Sequence, residues 1–369
     1  MEPYLLLTLD FPPHRGGVAR YYAGLSAAMR RGVVAVLTEP HPLALADEKR
    51  GVPVYRRRLL LRWFWPQWLF IPLVIAGIRR RFTFHRLLVG NILPLGYAAL
   101  LCKWIAGMPF DVCIHGLDLL RSRRSLWKSF WSRIILANAD RIIANSRWTE
   151  ALIRKQGTTR PIVVVYPCPA LPLPSDDEKK KFVERWNLGG KRVILSVSRL
   201  VARKGHDVAF TALAEARRTY PLLQYLVIGD GPDRDRLQTL AAAAGVADSV
   251  TFTGALPDND IVSAFAASEF FLLPTRSEGD DVEGFGLVFL EAAAAGLPSI
   301  AGRGGGVSEA VVDEVTGFLV DPRDTSAITA AVLTLLQDTA LRSRMGSAAR
   351  TRVYEQFQWK SSIESLCRT

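Results

Sequence analysis

Residues 193–228 read VILSVSRLVARKGHDVAFTALAEARRTYPLLQYLVI, and this stretch decides the fold class. An apolar run at 193–198 is followed by an amphipathic segment at 207–218 and a second apolar run at 223–228. Short apolar runs on either side of a helical pattern are typical of strands that are buried on both faces of a parallel sheet. The stretch therefore predicts a strand, a helix and a second, parallel strand.

The same alternation continues toward both ends of the chain. Further strands are predicted in the second half at 250–253, 270–273 and 299–301, with helices at 233–244, 258–267 and 287–295. The first half is predicted to contain strands at 4–8, 33–37, 86–89, 112–115, 141–144 and 162–165. This pattern predicts an α/β protein with doubly wound, Rossmann-like sheets, in which ligands bind at the carboxyl ends of the strands.

A proline-rich segment separates the two halves. Residues 166–175 contain four prolines, which can continue neither a helix nor a central strand. With 369 residues, the chain also exceeds the ~150 residues expected of one domain. We therefore predict two Rossmann-like domains, 1–170 and 171–350, that face a cleft, followed by a terminal segment at 351–369.

Composition excludes several classes of protein. The chain is 49% apolar and 22% charged, which is typical of globular proteins and excludes disorder and fibres. Four dispersed cysteines without a CxxC pair argue against structural zinc and a disulfide framework, and favour a reducing compartment. Because neither a signal peptide nor a spanning segment is apparent, we expect a cytoplasmic location.

Positive charge is concentrated in the first half of the chain. The net charge is +16 over residues 1–170 and −4 over the remainder. Basic and aromatic residues alternate in segment 56–82, which includes Arg57, Arg58, Arg62, Trp63, Trp65 and Trp68. This pattern of basic and aromatic residues is suited to contact with an anionic membrane surface or an acceptor. The alternative is a buried helix with a solvated basic edge.

Two loops after predicted strands could bind phosphate. Gly16 and Gly17 precede a predicted helix, where backbone N–H groups can approach an anion, although most such pairs are simply turns. Arg199 and Lys204 follow strand 193–198 and could neutralise a diphosphate, or they could form a solvated basic loop.

A third loop carries carboxylates around a glycine-rich turn. Glu283 precedes the turn Gly284-Phe285-Gly286-Leu287, and Glu291 lies roughly 6 to 8 Å farther along the following helix. The helix N-terminus favours an anion, and the two carboxylates can accept hydrogen bonds from sugar hydroxyls. Acidic residues at 278–283 could instead chelate a divalent metal, although fixed cations nearby make this unnecessary.

A histidine ends one predicted strand of the first domain. His115 is the last residue of predicted strand 112–115 and is accompanied by Asp118. This position would place an imidazole and a carboxylate at the ligand-binding edge of the sheet, although a lone histidine is often structural.

Together these motifs resemble the retaining GT-B glycosyltransferases of family four. The glutamate pair Glu283 and Glu291 matches the signature of that family in full, and Gly229-Asp-Gly-Pro232 and Gly304-Gly305-Gly306 are further similar features. The resemblance implies a nucleotide-diphosphate sugar as donor substrate, retention of anomeric configuration, and neither a bound metal nor another cofactor. It also implies that the terminal segment returns to the first domain.

The resemblance assigns a role to each matching residue. Arg199 and Lys204 would bind the diphosphate, Glu291 the ribose, and Glu283 with the turn from Gly284 to Leu287 the donor sugar and phosphate. Gly16 and Gly17 would close over the donor. His115 would contact the donor sugar and, with Glu283, act as a catalytic residue.

The acceptor is not determined by the motifs. Segment 56–82 and the basic first half lead us to expect a lipid-linked or membrane-proximal glycan acceptor, as in surface polysaccharide or glycolipid synthesis, and a peripheral membrane location. A nucleotide-sugar epimerase of the same fold is an alternative. A basic protein that binds lipid or nucleic acid is a remote one, because it would leave Glu283 and Glu291 without a role.

Overall fold

The computed structural model describes residues 2–14, 16–29, 32–44, 51–61, 63–169 and 172–368, without the side chains of residues 367 and 368. The chain divides into two compact units. Unit 1 comprises Met1–Cys168 together with Gln358–Thr369, and unit 2 comprises Pro169–Phe357.

Unit 1 is built on a parallel sheet. Within the described residues its strands are β1 (Tyr4–Leu7), β2 (Val34–Thr38), β3 (Val54–Arg56), β4 (Arg86–Val89), β5 (Phe110–Ile114), β6 (Arg141–Ala144) and β7 (Ile162–Val164). Their order across the sheet is β3-β2-β1-β4-β5-β6-β7. Every residue of β1, β2 and β5 is buried, as expected of strands covered on both faces.

Helices connect these strands. They are α1 (Gly17–Ala28), α2 (Ile71–Arg79), α3 (Leu95–Ala106), α4 (Leu117–Ser122), α5 (Leu126–Asn138) and α6 (Arg147–Arg154). Serine side chains cap two of them: Ser125 accepts a hydrogen bond at the start of α5, and Ser146 does so at the start of α6. Such caps satisfy backbone N–H groups that have no partner within the helix.

Unit 2 contains a second parallel sheet. Its described strands are β8 (Arg192–Val197), β9 (Leu223–Ile228), β10 (Val250–Gly254), β11 (Phe270–Leu273), β12 (Ser299–Gly302) and β13 (Gly317–Val320), in the order β10-β9-β8-β11-β12-β13. The helices are α7 (Asp176–Arg185), α8 (His206–Thr219), α9 (Arg234–Ala243), α10 (Asp258–Ala266), α11 (Leu287–Ala294), α12 (Val307–Ala310), α13 (Thr325–Gln337) and α14 (Thr339–Gln356).

The last helix, α15 (Trp359–Arg368), belongs to unit 1. The ring of Trp359 lies edge-on to Tyr21 of α1, with 5.6 Å between centroids. A Cβ added at Gly24 would come within 2.5 Å of the indole, so the absence of a side chain there makes room for it. Arg141 donates a hydrogen bond of 2.7 Å to the backbone oxygen of Leu366.

Each sheet has one point where the strand order reverses. In unit 1 the chain starts at β1, builds outward to β3 and then crosses to β4 on the other side of β1. In unit 2 it starts at β8, builds outward to β10 and crosses to β11. Open α/β sheets bind ligands where the order reverses, because the loops that follow the two central strands diverge there.

The predicted fold class is confirmed: both sheets are parallel and each is covered by helices. The predicted bounds of β4, β6, β9 and β11 coincide with the observed ones. Strands β3 and β13 were not predicted. Strand β3 has only three residues, and β13 begins at a glycine, so neither produces a clear apolar run. None of the described helices combines the length and the apolar character needed to cross a bilayer.

Candidate active site

The two loops that flank the reversal point of unit 2 meet at Glu283. This carboxylate, on the loop after β11, lies 2.6 Å from Nζ of Lys204 and 2.7 Å from a guanidinium nitrogen of Arg203, both on the loop after β8. Lys204 is buried, and the side chain of Glu283 is largely so. The structure thus brings together two of the motifs identified in the sequence.

Electrostatics keeps Glu283 ionised. Burial alone would raise the pKa of its carboxyl, but the cations of Lys204 and Arg203 outweigh burial and hold the pKa at about 2. Burial lowers the pKa of Lys204, and the Glu283 carboxylate opposes that shift. At neutral pH Glu283 is therefore a hydrogen-bond acceptor and not a proton donor.

Arg203 is a site residue that the motif analysis did not single out. Its Nε lies 2.9 Å from a carboxylate oxygen of Asp281, while another of its nitrogens contacts Glu283. Its guanidinium therefore spans two carboxylates of one loop, which an ammonium cannot do as well. The sequence feature that could have identified Arg203 is its position directly before Lys204.

The acidic loop is held by arginines. Glu278 accepts a hydrogen bond of 2.9 Å from Arg276, which also forms a two-pronged ion pair with Asp207. Across the part of the chain that the structure describes, no group of three or more His, Cys, Asp or Glu residues is arranged to hold a metal ion.

Helix α11 begins directly after this loop. Gly286 precedes it with φ +91°, a conformation that a residue with a side chain rarely adopts. Leu287 is the first helical residue, and Glu291 is buried one turn later. The Phe285 side chain is also buried, against the ring of Phe357, so that at Phe285 the backbone and not the side chain is suited to bind a ligand.

A glycine-rich turn supports the same loop from another side. Gly305 has φ +57°, and a Cβ placed on it would lie 2.1 Å from the backbone oxygen of Glu283. The backbone N–H of Gly306 donates a hydrogen bond of 3.0 Å to that same oxygen. The backbone at Glu283 is thus fixed by close contact with chain segment 304–306.

Arg199, on the loop after β8, and His206, the first residue of α8, lie in different surroundings. Arg199 is exposed, with no ion pair to any described residue. His206 is buried, with Nε2 2.9 Å from the Ser198 hydroxyl and Nδ1 3.1 Å from that of Tyr225. Burial, reinforced by the nearby Lys204 charge, lowers the pKa of His206 to about 4. This network anchors the loop that carries Lys204.

His115 follows β5 in unit 1 and is held by α1. Its Nε2 lies 2.7 Å from the hydroxyl of Tyr22, and that hydroxyl donates its proton to the backbone oxygen of Gly90 at 2.6 Å. The Tyr22 oxygen must then accept from Nε2, so the network assigns the ring proton to Nε2. Burial lowers the pKa of His115 to about 4, and the neutral ring keeps Nδ1 as a hydrogen-bond acceptor.

Asp118 shapes the same turn. One of its oxygens accepts from the backbone N–H of His115 at 3.2 Å and from that of Leu119 at 2.9 Å. Burial raises the pKa of Asp118 to about 6, although these backbone hydrogen bonds oppose the shift. Its role in unit 1 is to fix the backbone of His115.

Gly16 and Gly17 lie at the start of α1, after β1. Gly16 precedes the helix and Gly17 is its first residue. A Cβ at either position would meet no atom within 4 Å. Packing in the described part of unit 1 therefore does not require glycine at Gly17, whereas Gly16 has φ +141°, a conformation that a residue with a side chain rarely adopts.

The basic and aromatic residues of segment 56–82 have unequal exposure. Arg57, Arg58, Trp63 and Trp65 are exposed, whereas Arg62 lies outside the described residues. Trp68 is half-buried and stacks on Tyr97 of α3, with centroids 5.2 Å apart. Trp68 is therefore less accessible than the sequence pattern led us to expect.

Comparison with known proteins decides the family. The family model described as "Glycosyltransferase Family 4" matches residues 15–168, and the one described as "Glycosyl transferases group 1" matches residues 176–352. The chain is also 32% identical to a mannosyltransferase of Mycolicibacterium smegmatis, over 97% of this chain and 95% of that protein. The chain is a family-four glycosyltransferase. The resemblance noted from the motifs is thereby confirmed.

Two relatives of this family-four glycosyltransferase are named for the glycosylation of a lipid. The M. smegmatis protein is a "GDP-mannose-dependent alpha-(1-6)-phosphatidylinositol monomannoside mannosyltransferase". A Corynebacterium glutamicum relative, 29% identical over 98% of this chain and 96% of its own length, is named for the monoacylated form of the same acceptor. Anabaena HepE, solved with UDP-glucose, has a TM-score of 0.84 at 20% identity with full coverage of both chains, which shows the shared GT-B fold.

Proposed function

We propose that this glycosyltransferase moves a hexose, with retention of anomeric configuration and without a metal, from a nucleotide-diphosphate sugar to a lipid-linked glycan acceptor. The observation that carries the proposal is the contact of Glu283 with Lys204, which joins the signature motif before α11 to the basic loop after β8. The site lies where the strand order of unit 2 reverses, as expected of a nucleotide site.

GDP-mannose is the donor we propose first, because it is named for the relatives that match nearly the whole chain. In this proposal the exposed Arg199 and the buried Lys204 bind the diphosphate, and Glu291 binds the ribose. The backbone of residues 284–287 binds the distal phosphate at the start of α11, with the helix dipole behind it. Gly16 and Gly17 contact the donor from unit 1.

The chemistry follows from charge. As the bond between the anomeric carbon and the diphosphate breaks, the acceptor oxygen bonds to that carbon and the acceptor proton passes to the leaving diphosphate. The negative charge that develops on the leaving oxygen is stabilised by preorganised cations and N–H groups. Glu283, ionised at neutral pH, accepts hydrogen bonds from hydroxyls of the sugar. His115 presents Nδ1 as an acceptor to the same sugar, and its low pKa makes it a neutral contact. These fixed charges give the reaction a route without a metal.

We propose a lipid-linked acceptor at the cytoplasmic face of a membrane. The exposed Arg57, Arg58, Trp63 and Trp65 of unit 1 can lie at an anionic interface. The relatives act on phosphatidylinositol mannosides according to their names, which supports a phosphoinositol glycolipid as the acceptor. Buried free cysteines in unit 1 suit a reducing compartment.

The test is calorimetric binding of GDP, UDP and ADP in EDTA, followed by transfer assays with GDP-mannose and a phosphatidylinositol mannoside. We expect GDP to bind tightly, Glu291→Ala to weaken binding, and Glu283→Ala to lower kcat more than nucleotide affinity. NMR of the product would show an α-linked mannose. An isomerised nucleotide sugar without transfer would replace the proposal with the epimerase alternative.

A further inference from the structure

Helix α3 exposes an apolar stripe. Tyr97, Leu101, Trp104 and Ile105 are spaced at i, i+4, i+7 and i+8, which places them on one face of the helix. Trp104 is 58% exposed and Ile105 75% exposed, near the end of α3. Large apolar side chains concentrated on one exposed helix face are unusual in a soluble domain.

Helix α5 exposes a second stripe beside it. Trp127 is 58% exposed and Phe130 56% exposed, and Trp131 and Ile134 continue the same face. The ring of Trp131 lies 5.6 Å from that of Tyr97 on α3 and 5.6 Å from that of Trp127. The two stripes therefore form one apolar surface, which we name the α3–α5 face.

This surface is continuous with segment 56–82. Trp68 stacks on Tyr97, so the aromatic contacts run from that segment across α3 to α5. Trp63 and Leu73 are exposed on the same segment. The apolar surface of unit 1 is thus wider than the segment singled out in the sequence.

The surroundings of the α3–α5 face are positively charged. Residues 51–138 contain 14 basic residues and only two acidic ones, Asp111 and Asp118. Asp111 is fully buried, and Asp118 accepts backbone hydrogen bonds. The basic residues that are exposed on α4 and α5 and between them include Arg121, Arg123, Lys128 and Arg133.

The combination of exposed aromatic and basic side chains favours an anionic bilayer as the partner of this face. Exposed tryptophan and phenylalanine bordered by arginine and lysine suit the headgroup region of an anionic bilayer, where the rings reach the acyl boundary and the cations meet phosphates. A second copy of the chain would bring the same basic border against itself, which is repulsive.

We propose that the α3–α5 face docks on an anionic bilayer, with Trp104, Ile105, Trp127 and Phe130 as its interfacial anchors. The proposal deepens the proposed function, since it rests on a membrane-lipid acceptor and names the surface that would hold the enzyme beside it. Lys128 and Arg133 supply charge attraction.

The test is sedimentation of the full-length protein with vesicles, either of phosphatidylcholine alone or of phosphatidylcholine with phosphatidylglycerol. The variant is the double substitution W127S/F130S. Its matched control is L222S/Y354S, which removes two apolar side chains of similar exposure from unit 2. A second variant, K128Q/R133Q, removes charge and leaves the apolar stripe intact. Circular dichroism and GDP binding verify that each variant is folded.

We expect wild type to bind the anionic vesicles and W127S/F130S to bind about 10-fold more weakly or worse. The L222S/Y354S control should bind like wild type. K128Q/R133Q should bind anionic vesicles more weakly than wild type at low salt. At high salt the difference should disappear, because salt then screens the same charge attraction in wild type.

Three results would overturn the proposal. Wild type could ignore anionic vesicles, or W127S/F130S could bind them as tightly as wild type. Light scattering could also show a dimer that W127S/F130S dissociates without any change in vesicle binding, which would make the face an interface between copies. Transfer from GDP-mannose to a short-chain, water-soluble phosphatidylinositol mannoside, measured without vesicles, tests the proposed function separately. No transfer by wild type would reject that function and leave the docking result unaffected.

Discussion

The Nε2 atom of His115 lies 2.7 Å from the hydroxyl of Tyr22, and that hydroxyl donates its own proton to the backbone of Gly90. A tyrosine on the first helix of unit 1 thereby determines which nitrogen of the histidine carries the proton. Nδ1 retains a free electron pair, which suits it to accept a hydrogen bond from a sugar hydroxyl.

Tyr22→Phe should therefore lower kcat about 10-fold, equivalent to ~1.4 kcal/mol, while GDP affinity stays unchanged. The Nε2 proton loses its acceptor, and the ring can then place its proton on Nδ1. Nitrogen-15 NMR of His115 would report the change of tautomer directly.

The matched control is Tyr21→Phe. Its hydroxyl donates to the backbone oxygen of Val165 at 3.2 Å, and its ring packs edge-on to His115. Tyr21→Phe thus removes a neighbouring buried hydroxyl that makes no hydrogen bond to the imidazole nitrogens of His115. Equal kcat in both variants would contradict the role assigned to Tyr22.

Arg203→Met should lower kcat roughly 10-fold with little change in the Kd for GDP. The substitution removes the guanidinium that spans Asp281 and Glu283. The Glu283 carboxylate then has one neighbouring cation instead of two and is no longer held in place by Arg203. Arg203→Lys should restore activity only in part, since one ammonium cannot span both carboxylates.

Steady-state kinetics and calorimetry separate these effects. Arg218→Met is a suitable control, because Arg218 is an exposed arginine on α8 that pairs only with the surface residue Glu215 among the described residues. Wild-type kcat in Arg203→Met would show that Lys204 alone is sufficient to position Glu283.

Gly305→Ala should abolish most activity and destabilise unit 2. Its Cβ would lie 2.1 Å from the backbone oxygen of Glu283, so the catalytic loop must move. Gly279→Ala is a matched control: Gly279 has φ +59°, similar to the +57° of Gly305, but an added Cβ would meet no atom within 4 Å.

Both glycine variants therefore carry the strain of a left-handed alanine, about 1 to 2 kcal/mol, and only Gly305→Ala carries the clash. Thermal unfolding and kcat would be measured side by side. Similar losses in the two variants would mean that backbone strain alone accounts for the effect.

Unit 2 should lose stability between pH 6.5 and pH 4 through His206. Its folded pKa of about 4 lies below the ordinary value of 6.5, so the unfolded chain binds more protons in this window and stability falls as the pH is lowered. Between pH 7 and pH 5 the loss should be about 2 kcal/mol.

His206→Gln keeps hydrogen-bonding groups near Ser198 and Tyr225 but does not titrate. Hydrogen exchange of the α8 amides would give the opening free energy at both pH values. We expect wild type to lose about 2 kcal/mol more than His206→Gln, and equal losses would exclude His206 as the cause.

The sequence predicts strands β8 to β12 of unit 2 because each is a mostly apolar run, and it misses β13, which begins at a glycine. The contact between Lys204 and Glu283 could not be predicted in the same way, since the two residues are 79 positions apart. They meet because β8 pairs with β11, and this pairing depends on which side of β8 the chain crosses to. The same holds for Tyr22 and His115, which are 93 positions apart.

The α3–α5 face was missed for a different reason. Helix α3 is apolar around most of its circumference, a pattern that indicates a buried helix when no neighbour is known. Only the packing of α3 against one side of the sheet shows that Trp104 and Ile105 are exposed. Exposure is a property of the assembled unit, and hydrophobicity alone does not determine it.

The return of α15 to unit 1 sets an order of events during synthesis. Tyr21 and Gly24 on α1 emerge from the ribosome early, yet their partner Trp359 follows all of unit 2. At about 5 to 20 residues per second, this interval lasts on the order of 20 to 70 s. Unit 2 can thus fold while α1 still lacks its contacts with α15, and the unit that begins the chain is the last to be finished.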